Sequence, residues 1–249
     1  MPGETMTGRL EQVLKQKLGR LRGGRVLDVA TGHGDFAFLL ARVMNDYDEI
    51  IGIDASQQEA DAGGKTARRQ QHGEFRFLKM DAHKLDFPDS SFDTVAISNA
   101  LHHMADPKQV LAEMMRVLKP GGLCIVREIY SDGLDEAQKS HLLFHHLRAD
   151  IDTLKGVFHR YSYQRAELAR FCQELELAEL DTFDLGPGDD DPLENEAPEH
   201  LTQMLDIWLG EPGLAPDIAR RIEEVREHIR EHGFLPASSL CAIGRKDRG

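Results

Sequence analysis

Residues 25–42 read Arg25-Val-Leu-Asp-Val-Ala-Thr-Gly-His-Gly-Asp-Phe-Ala-Phe-Leu-Leu-Ala-Arg42. Val26, Leu27 and Val29 form a short aliphatic run of the kind that fills a parallel strand buried on both faces. Gly32 and Gly34 follow at a turn, where a residue without Cβ accepts positive φ and lets a ligand approach the backbone. Asp35 stands where it can cap a helix whose apolar positions are Phe36, Phe38, Leu39, Leu40 and Val43. Strand, glycine turn and helix make the first unit of a nucleotide-type α/β fold, and the turn is a candidate site.

Two cofactor classes use such a turn. Gly32-His-Gly34-Asp-Phe-Ala37 satisfies the dinucleotide pattern G-x-G-x-x-G/A, with Asp54 an acid about 20 residues on. Asp28 speaks against a dinucleotide, because a carboxylate at the strand end would face the pyrophosphate. S-adenosylmethionine carries no phosphate but has an α-ammonium and a sulfonium, both of which a carboxylate favours.

Downstream, Glu49–Ser56 reads as a second strand ending in Asp54, an acid able to accept both ribose hydroxyls. Ser56 can cap a helix running through Gln71, within which Gly63-Gly64 is unfavourable by about 1 kcal/mol per residue relative to alanine. Phe75–Ala82 reads as a third strand. Asp81 beyond it is either a turn aspartate or an acceptor for an adenine amino group, with the Ala82 amide offered to a ring nitrogen. Phe92–Ser98 is a fourth strand, followed by Asn99-Ala-Leu-His-His-Met104. A helix starts at Asp106-Pro107 and stops at Lys119-Pro-Gly-Gly122, and Leu123–Ile129 is a fifth strand. Asp28, Asp54 and Asp81 thus fall at the carboxyl ends of successive strands, where open parallel sheets bind ligands.

Asp28-Val-Ala-Thr-Gly-His-Gly-Asp35, Ile53-Asp-Ala, Met80-Asp-Ala and Arg116-Val-Leu-Lys-Pro-Gly-Gly122 together resemble the class I S-adenosylmethionine-dependent methyltransferases. Among these the chain is similar to the small-molecule group typified by ubiquinone/menaquinone-biosynthesis C-methyltransferases, over roughly residues 22–130. The resemblance implies a Rossmann-like, seven-stranded, mostly parallel sheet with helices on both faces. It implies that the loop Ala30, Thr31, Gly32, His33, Gly34 packs on the methionine part of the cofactor. Asp54 would hold the ribose and Asp81 the adenine, with Ala55 and Ala82 beside them, and Ser98 and Asn99 would contact the cofactor from the fourth strand. Ala30 departs from the family, which often has glycine there, and His33 would bring an imidazole near the amino-acid end.

The whole of 1–249 reads as a single domain, with a core of about 22–185 and 236–246. An N-terminal helix over 6–20 precedes it, and a helical insertion of about 186–235 stands before the last strand. Trp208 in the insertion is expected in a lid or a homodimer contact. Net charge −13 disfavours non-specific nucleic-acid binding. No apolar run of membrane-spanning length and no secretory leader is visible. Isolated Cys124, Cys172 and Cys241 fit reduced thiols in a cytoplasmic protein.

The segment 134–151 reads as a helix rich in histidine. His141 and His145 share one helical face, with His146, Asp150, Asp152 and His159 nearby in sequence. Without an H-E-x-x-H pattern, no metal is expected. Ser162 is a possible cap for a helix over 164–174, and Tyr161 and Tyr163 either line an acceptor pocket or pack as ordinary tyrosines. Gly186–Pro192 and Glu194–Glu199 read as a solvated acidic loop. His102 and His103, just after the fourth strand, are either general bases or lining for the acceptor; Glu128 is a further candidate base. The expected activity is methyl transfer from S-adenosylmethionine to a small organic acceptor, leaving S-adenosylhomocysteine. The alternatives are an NAD-dependent oxidoreductase, or a regulatory protein that binds cofactor without transfer.

Overall fold

The computed structural model describes residues 9–69, 74–186, 198–211 and 213–248. Its elements run α1 (Arg9–Leu18), β1 (Arg22–Val29), α2 (Asp35–Val43), β2 (Asp46–Asp54), α3 (Gln57–Arg69), β3 (Phe75–Lys79), β4 (Phe92–Ser98), α4 (Pro107–Val117) and β5 (Leu118–Ile129). They continue with α5 (Glu136–Leu154), α6 (Arg165–Glu174), β6 (Ala178–Leu185), α7 (Pro198–Leu209), α8 (Pro216–His232) and β7 (Ser239–Arg245). The sheet order is β3-β2-β1-β4-β5-β7-β6. β1 to β5 pair in parallel, and β7 runs antiparallel to both β5 and β6. The expected seven-stranded, mostly parallel sheet is observed.

Alternation along each strand sorts its side chains between two helical layers. Leu27, Val29, Ile51, Ile53, Val95, Ile97 and Val126 pack on one face with Val110, Leu111 and Met114 of α4 and Leu168 of α6. Val26, Ile50, Ala96 and Ile125 point the other way, toward Leu10, Leu14 and Leu18 of α1 and Phe38, Leu39 and Leu40 of α2. Both faces are covered, so the central strands read as continuous apolar runs rather than alternating ones. Leu10, Leu14 and Leu18 recur every four residues and are buried, which makes α1 a packing helix.

Local starts and stops follow the sequence with three adjustments. Asp106 caps α4 by accepting from the Gln109 amide at 3.0 Å, and the Glu59 amide donates to Ser56 Oγ at 3.4 Å. The cap of α2 is Gly34 in the left-handed region, not Asp35, which is the first helical residue. The cap of α6 is Gln164, in a capping box with Glu167, not Ser162. β5 begins at Leu118, because the Gly121 amide donates to Lys246 O and draws residues 119–122 into the sheet edge. The expected helix end at Gln71, Met6 of the first helix, and most of the acidic loop 186–199 lie outside the described residues.

Gly63 has a packing reason: a Cβ there would meet the Phe77 ring at 2.5 Å, so the glycine lets α3 lie close on β3. The helices before β7 form a small core with α5, in which Leu201, Leu205, Ile218, Ile222 and Val225 meet Phe144, Leu147 and Ile151. Trp208 is buried there and stacks on Phe144 at 5.1 Å. It belongs to the interior of this small core. Among the described residues, no helix is long and apolar enough to cross a membrane.

Candidate active site

The turn after β1 is built around Asp28. Its side chain is buried, Oδ2 accepts from the Thr31 hydroxyl at 2.5 Å, and Oδ1 has no hydrogen bond of good geometry. Burial pushes its pKa up to about 7, opposed by the Thr31 hydroxyl and the Ala37 amide and reinforced by Asp35 and Asp54. A half-satisfied carboxylate at the carboxyl end of a central strand is a ready receptor for a cation. Ala30 has φ 54°, which explains why glycine suits this position and how a small side chain still fits. Gly32 has φ 52°, and a Cβ there would meet nothing within 4 Å, so the space over the turn is open. At Gly34 the opposite holds, since a Cβ would meet Phe77 at 2.7 Å. His33 turns outward to Glu59, with Nε2 2.7 Å from the carboxylate.

Asp54 ties the first two strand ends together. Its Oδ2 accepts from the Gly32 amide at 3.0 Å and its Oδ1 from the Ser56 amide at 2.9 Å; Ala55 stands between the two turns. Asp81 is exposed, and its Oδ1 accepts from the His83 amide at 2.9 Å and lies 2.8 Å from His83 Nδ1. Those bonds, the amide first, hold its pKa below the ordinary carboxylate range. Without a ligand Asp81 thus makes a turn with His83, and neighbouring Ala82 is buried. At the end of β4, Ser98 Oγ accepts from Arg127 Nη1 at 3.4 Å, and Asn99, at φ 48°, donates its amide to Arg127 O. Asp28, Asp54 and Asn99 thus end three adjacent strands in the order β2-β1-β4. A surface cleft of about 730 Å³ between α1 and the end of α2 is lined by Lys15, Arg20 and Arg42 at the amino ends of the strands, away from these groups.

Leu101–His103 forms a single 3₁₀ turn after β4, held from below by Glu128 of β5. Glu128 Oε2 accepts from the Leu101 amide at 2.7 Å, and Oε1 lies 2.8 Å from His102 Nδ1 and accepts from the Ile129 amide at 3.0 Å. This buried carboxylate anchors the turn through both of its oxygens. His145 from α5 and His159 from the loop before α6 close on the same place. Ring centroids lie 4.5 Å apart for His102–His145, 4.1 Å for His103–His159 and 4.9 Å for His145–His159. Desolvation, then the neighbouring imidazoles and Arg148, pushes the His103 pKa down to about 2.

The remaining sequence candidates separate. Tyr163 is fully buried, with its hydroxyl donating to Leu101 O at 3.4 Å, so it props the 3₁₀ turn instead of lining a pocket. Tyr161 is exposed, stacks on His146 at 4.2 Å and donates to Asp150. His141 accepts from the Ala237 amide at 2.8 Å and is thereby drawn away from His145.

The methyltransferase domain family matches residues 27–126. A demethylmenaquinone methyltransferase of Geobacillus kaustophilus is 30% identical over 161 residues, which cover 64% of this chain and 69% of that protein. The chain belongs to the methyltransferases. A ubiquinone/menaquinone biosynthesis C-methyltransferase of Geobacter sulfurreducens is 36% identical over 64% of this chain and 62% of its own length. This methyltransferase therefore spans somewhat less than two thirds of that relative. Among solved structures, the [4+2]-cyclase SpnF superposes with a TM-score of 0.66 at 22% identity, covering 100% of this chain and 86% of that one, a likeness of fold. Nothing in these matches supports the NAD-dependent oxidoreductase reading.

Sequence reasoning placed the glycine turn and the strand-end acids of the methyltransferase, but it missed two pairings. Glu128 with His102, and Asp152 with His159 at 2.7 Å between Oδ2 and Nδ1, join residues far apart or across a loop. The only signal in the sequence was an excess of histidine and acid over 141–159.

Proposed function

We propose that this methyltransferase binds S-adenosylmethionine over the Ala30–Gly34 turn and moves its methyl group to a small, largely apolar acceptor of quinol or phenol type. The observation that carries the reading is Asp28: a buried carboxylate with one unsatisfied oxygen, beside a glycine over which the space is open. That arrangement suits a ligand with a cationic end and no phosphate.

Bound S-adenosylmethionine supplies a methyl carbon already activated by its sulfonium. The protein's task is then alignment, from which effective molarities of about 10⁵–10⁸ M are available. Asp28 and Thr31 receive the cationic end, Gly32 leaves room for it, and Asp54 with Ala55 holds the ribose. Asp81 and Ala82 take the adenine edge, and Ser98 and Asn99 close the cofactor from β4. His102 and His103 then face the acceptor. Exposed Val157 and Phe158, next in sequence to His159, supply an apolar rim of the kind a lipophilic quinol would use. The demethylmenaquinone and ubiquinone relatives support that acceptor class. Three isolated, buried, free cysteines fit a cytoplasmic setting.

Calorimetric titration of the full chain with S-adenosylhomocysteine and, in parallel, with NAD⁺ tests the cofactor. Micromolar binding of the first and none of the second is expected. A methyl-label transfer assay with demethylated quinols, phenols and amines then tests the reaction. Binding without transfer to any of them would leave a cofactor-binding protein and sink the enzymatic reading.

A further inference from the structure

Three elements distant in sequence bring imidazoles to one point beside the 3₁₀ turn. His102 and His103 come from the end of β4, His159 from the loop before α6, and His145 from α5. One ring nitrogen from each of His102, His103 and His159 lies within 4.8 Å of the other two, and His159 Nε2 is 3.3 Å from His145 Nε2. For nitrogens about 2.0–2.1 Å from a tetrahedral zinc, neighbouring ligand atoms stand about 3.4 Å apart. The His145–His159 pair already has that spacing, and His102, His103 and His159 reach it by shifts of up to roughly an ångström and a half from their separation of at most 4.8 Å.

What surrounds the rings selects which nitrogen is offered. His102 Nδ1 is held by buried Glu128 at 2.8 Å, and His159 Nδ1 by Asp152 at 2.7 Å. A carboxylate on Nδ1 keeps the proton there and leaves Nε2 as the acceptor, the arrangement metal-bound histidines almost always have; at His159 that nitrogen meets His145 Nε2 in a hydrogen bond that the metal would replace. His102 and His159 are buried while His103 is exposed, which gives two fixed ligands and an entry path.

From this geometry we propose that His102, His103 and His159, with His145 as the fourth donor, form a site for a divalent transition metal, zinc foremost. An all-imidazole donor set suits zinc and its neighbours over magnesium or calcium, which take oxygen ligands. The site departs from the sequence expectation of no metal, because His141–His145 spacing is not what builds it. Metal binding stands on this geometry alone. A role for the ion in holding an acceptor oxygen rests on the methyl-transfer reading above.

The test is competition titration of the full chain, stripped by chelator dialysis, with zinc against a chromogenic chelator, and with cobalt(II) followed by its visible spectrum. One equivalent of zinc at micromolar affinity or tighter is expected, with cobalt bands of nitrogen ligation. His103→Ala, whose side chain is exposed, should weaken zinc at least 10-fold while the circular dichroism is unchanged. Asp152→Asn, which keeps the shape but removes the charge behind His159, should weaken it about 10- to 100-fold. Glu136, His228 and His232 form a second, more exposed triad, so the double variant His228→Ala/His232→Ala should bind zinc within twofold of the parent. No binding at micromolar zinc, equal affinity in parent and His103→Ala, or loss confined to the His228/His232 variant would each overturn the proposal. None of these readouts uses methyl transfer, so failure of the site and failure of the transfer reading are told apart.

Discussion

Glu128 Oε1 lies 2.8 Å from His102 Nδ1, and both residues are buried. The same carboxylate accepts the Leu101 amide, so one β5 side chain fixes both the backbone and the imidazole of the turn after β4. Glu128→Ala leaves a buried amide and a buried ring nitrogen without partners, each at a cost of about 1–3 kcal/mol. Urea unfolding should show a loss in that range or above. A loss below about 0.5 kcal/mol would mean that the turn holds itself.

Asp28 predicts a pH dependence of the ligand-free protein. Its folded pKa, about 7, lies above the ordinary aspartate value of 3.8, so the folded state binds the proton more tightly than the unfolded chain. The stabilisation is full below about pH 4 and is lost as pH rises toward and through 7, by about 4 kcal/mol at most. Asp28→Asn should flatten the fall in urea midpoint between pH 5 and pH 8 relative to the parent. It should also weaken S-adenosylhomocysteine by 10-fold or more. In the parent, a cationic ligand restores the carboxylate, so binding at pH 7 should release protons and show a heat that depends on buffer ionisation.

Gly32 and Gly34 should fail for different reasons. Gly34→Ala drives a Cβ to 2.7 Å from Phe77 at φ 94°, and thermal unfolding should show a loss of about 1–3 kcal/mol. Gly32→Ala meets open space and incurs only the left-handed backbone strain of about 1–2 kcal/mol. Its fold should survive while calorimetry shows cofactor affinity falling, since the new methyl occupies the space over the turn. Unchanged affinity would place the cofactor elsewhere.

The adjacent glycines of α3 should respond with opposite signs. Gly64→Ala has only Arg68 Nη1 nearby, at 3.6 Å, and should stabilise by up to about 1 kcal/mol through helix propensity. Gly63→Ala should destabilise in spite of the same propensity gain, because the Phe77 ring at 2.5 Å belongs to a stack with Phe38 and Phe75. Chemical denaturation of the two variants side by side decides it.

The sequence alone determined the sheet, the glycine turn and the acids at the ends of β1 and β2, because each is a local pattern. Aliphatic runs specify strands, positive φ specifies glycine, and an acid at a strand end follows from the crossover rule of parallel sheets. The helical insertion was legible too, since α8 carries its charged and apolar positions at helical spacing. What the tertiary structure decided lies in contacts whose partners are far apart along the chain. Trp208 became core because α7 folds back on Phe144 of α5, 64 residues earlier, and no periodicity announces that contact. Tyr163 went inward, where its hydroxyl meets Leu101 O, and Tyr161 stayed outside against His146 and Asp150, partners that are not its neighbours in sequence. The histidines show the same division: their number was visible in the sequence, but a helical spacing of four paired His141 with His145. The fold gave His141 to the Ala237 amide and His145 to His102 and His159. Which imidazoles converge depends on where β4, α5 and the loop before α6 are packed, and only the assembled core fixes that.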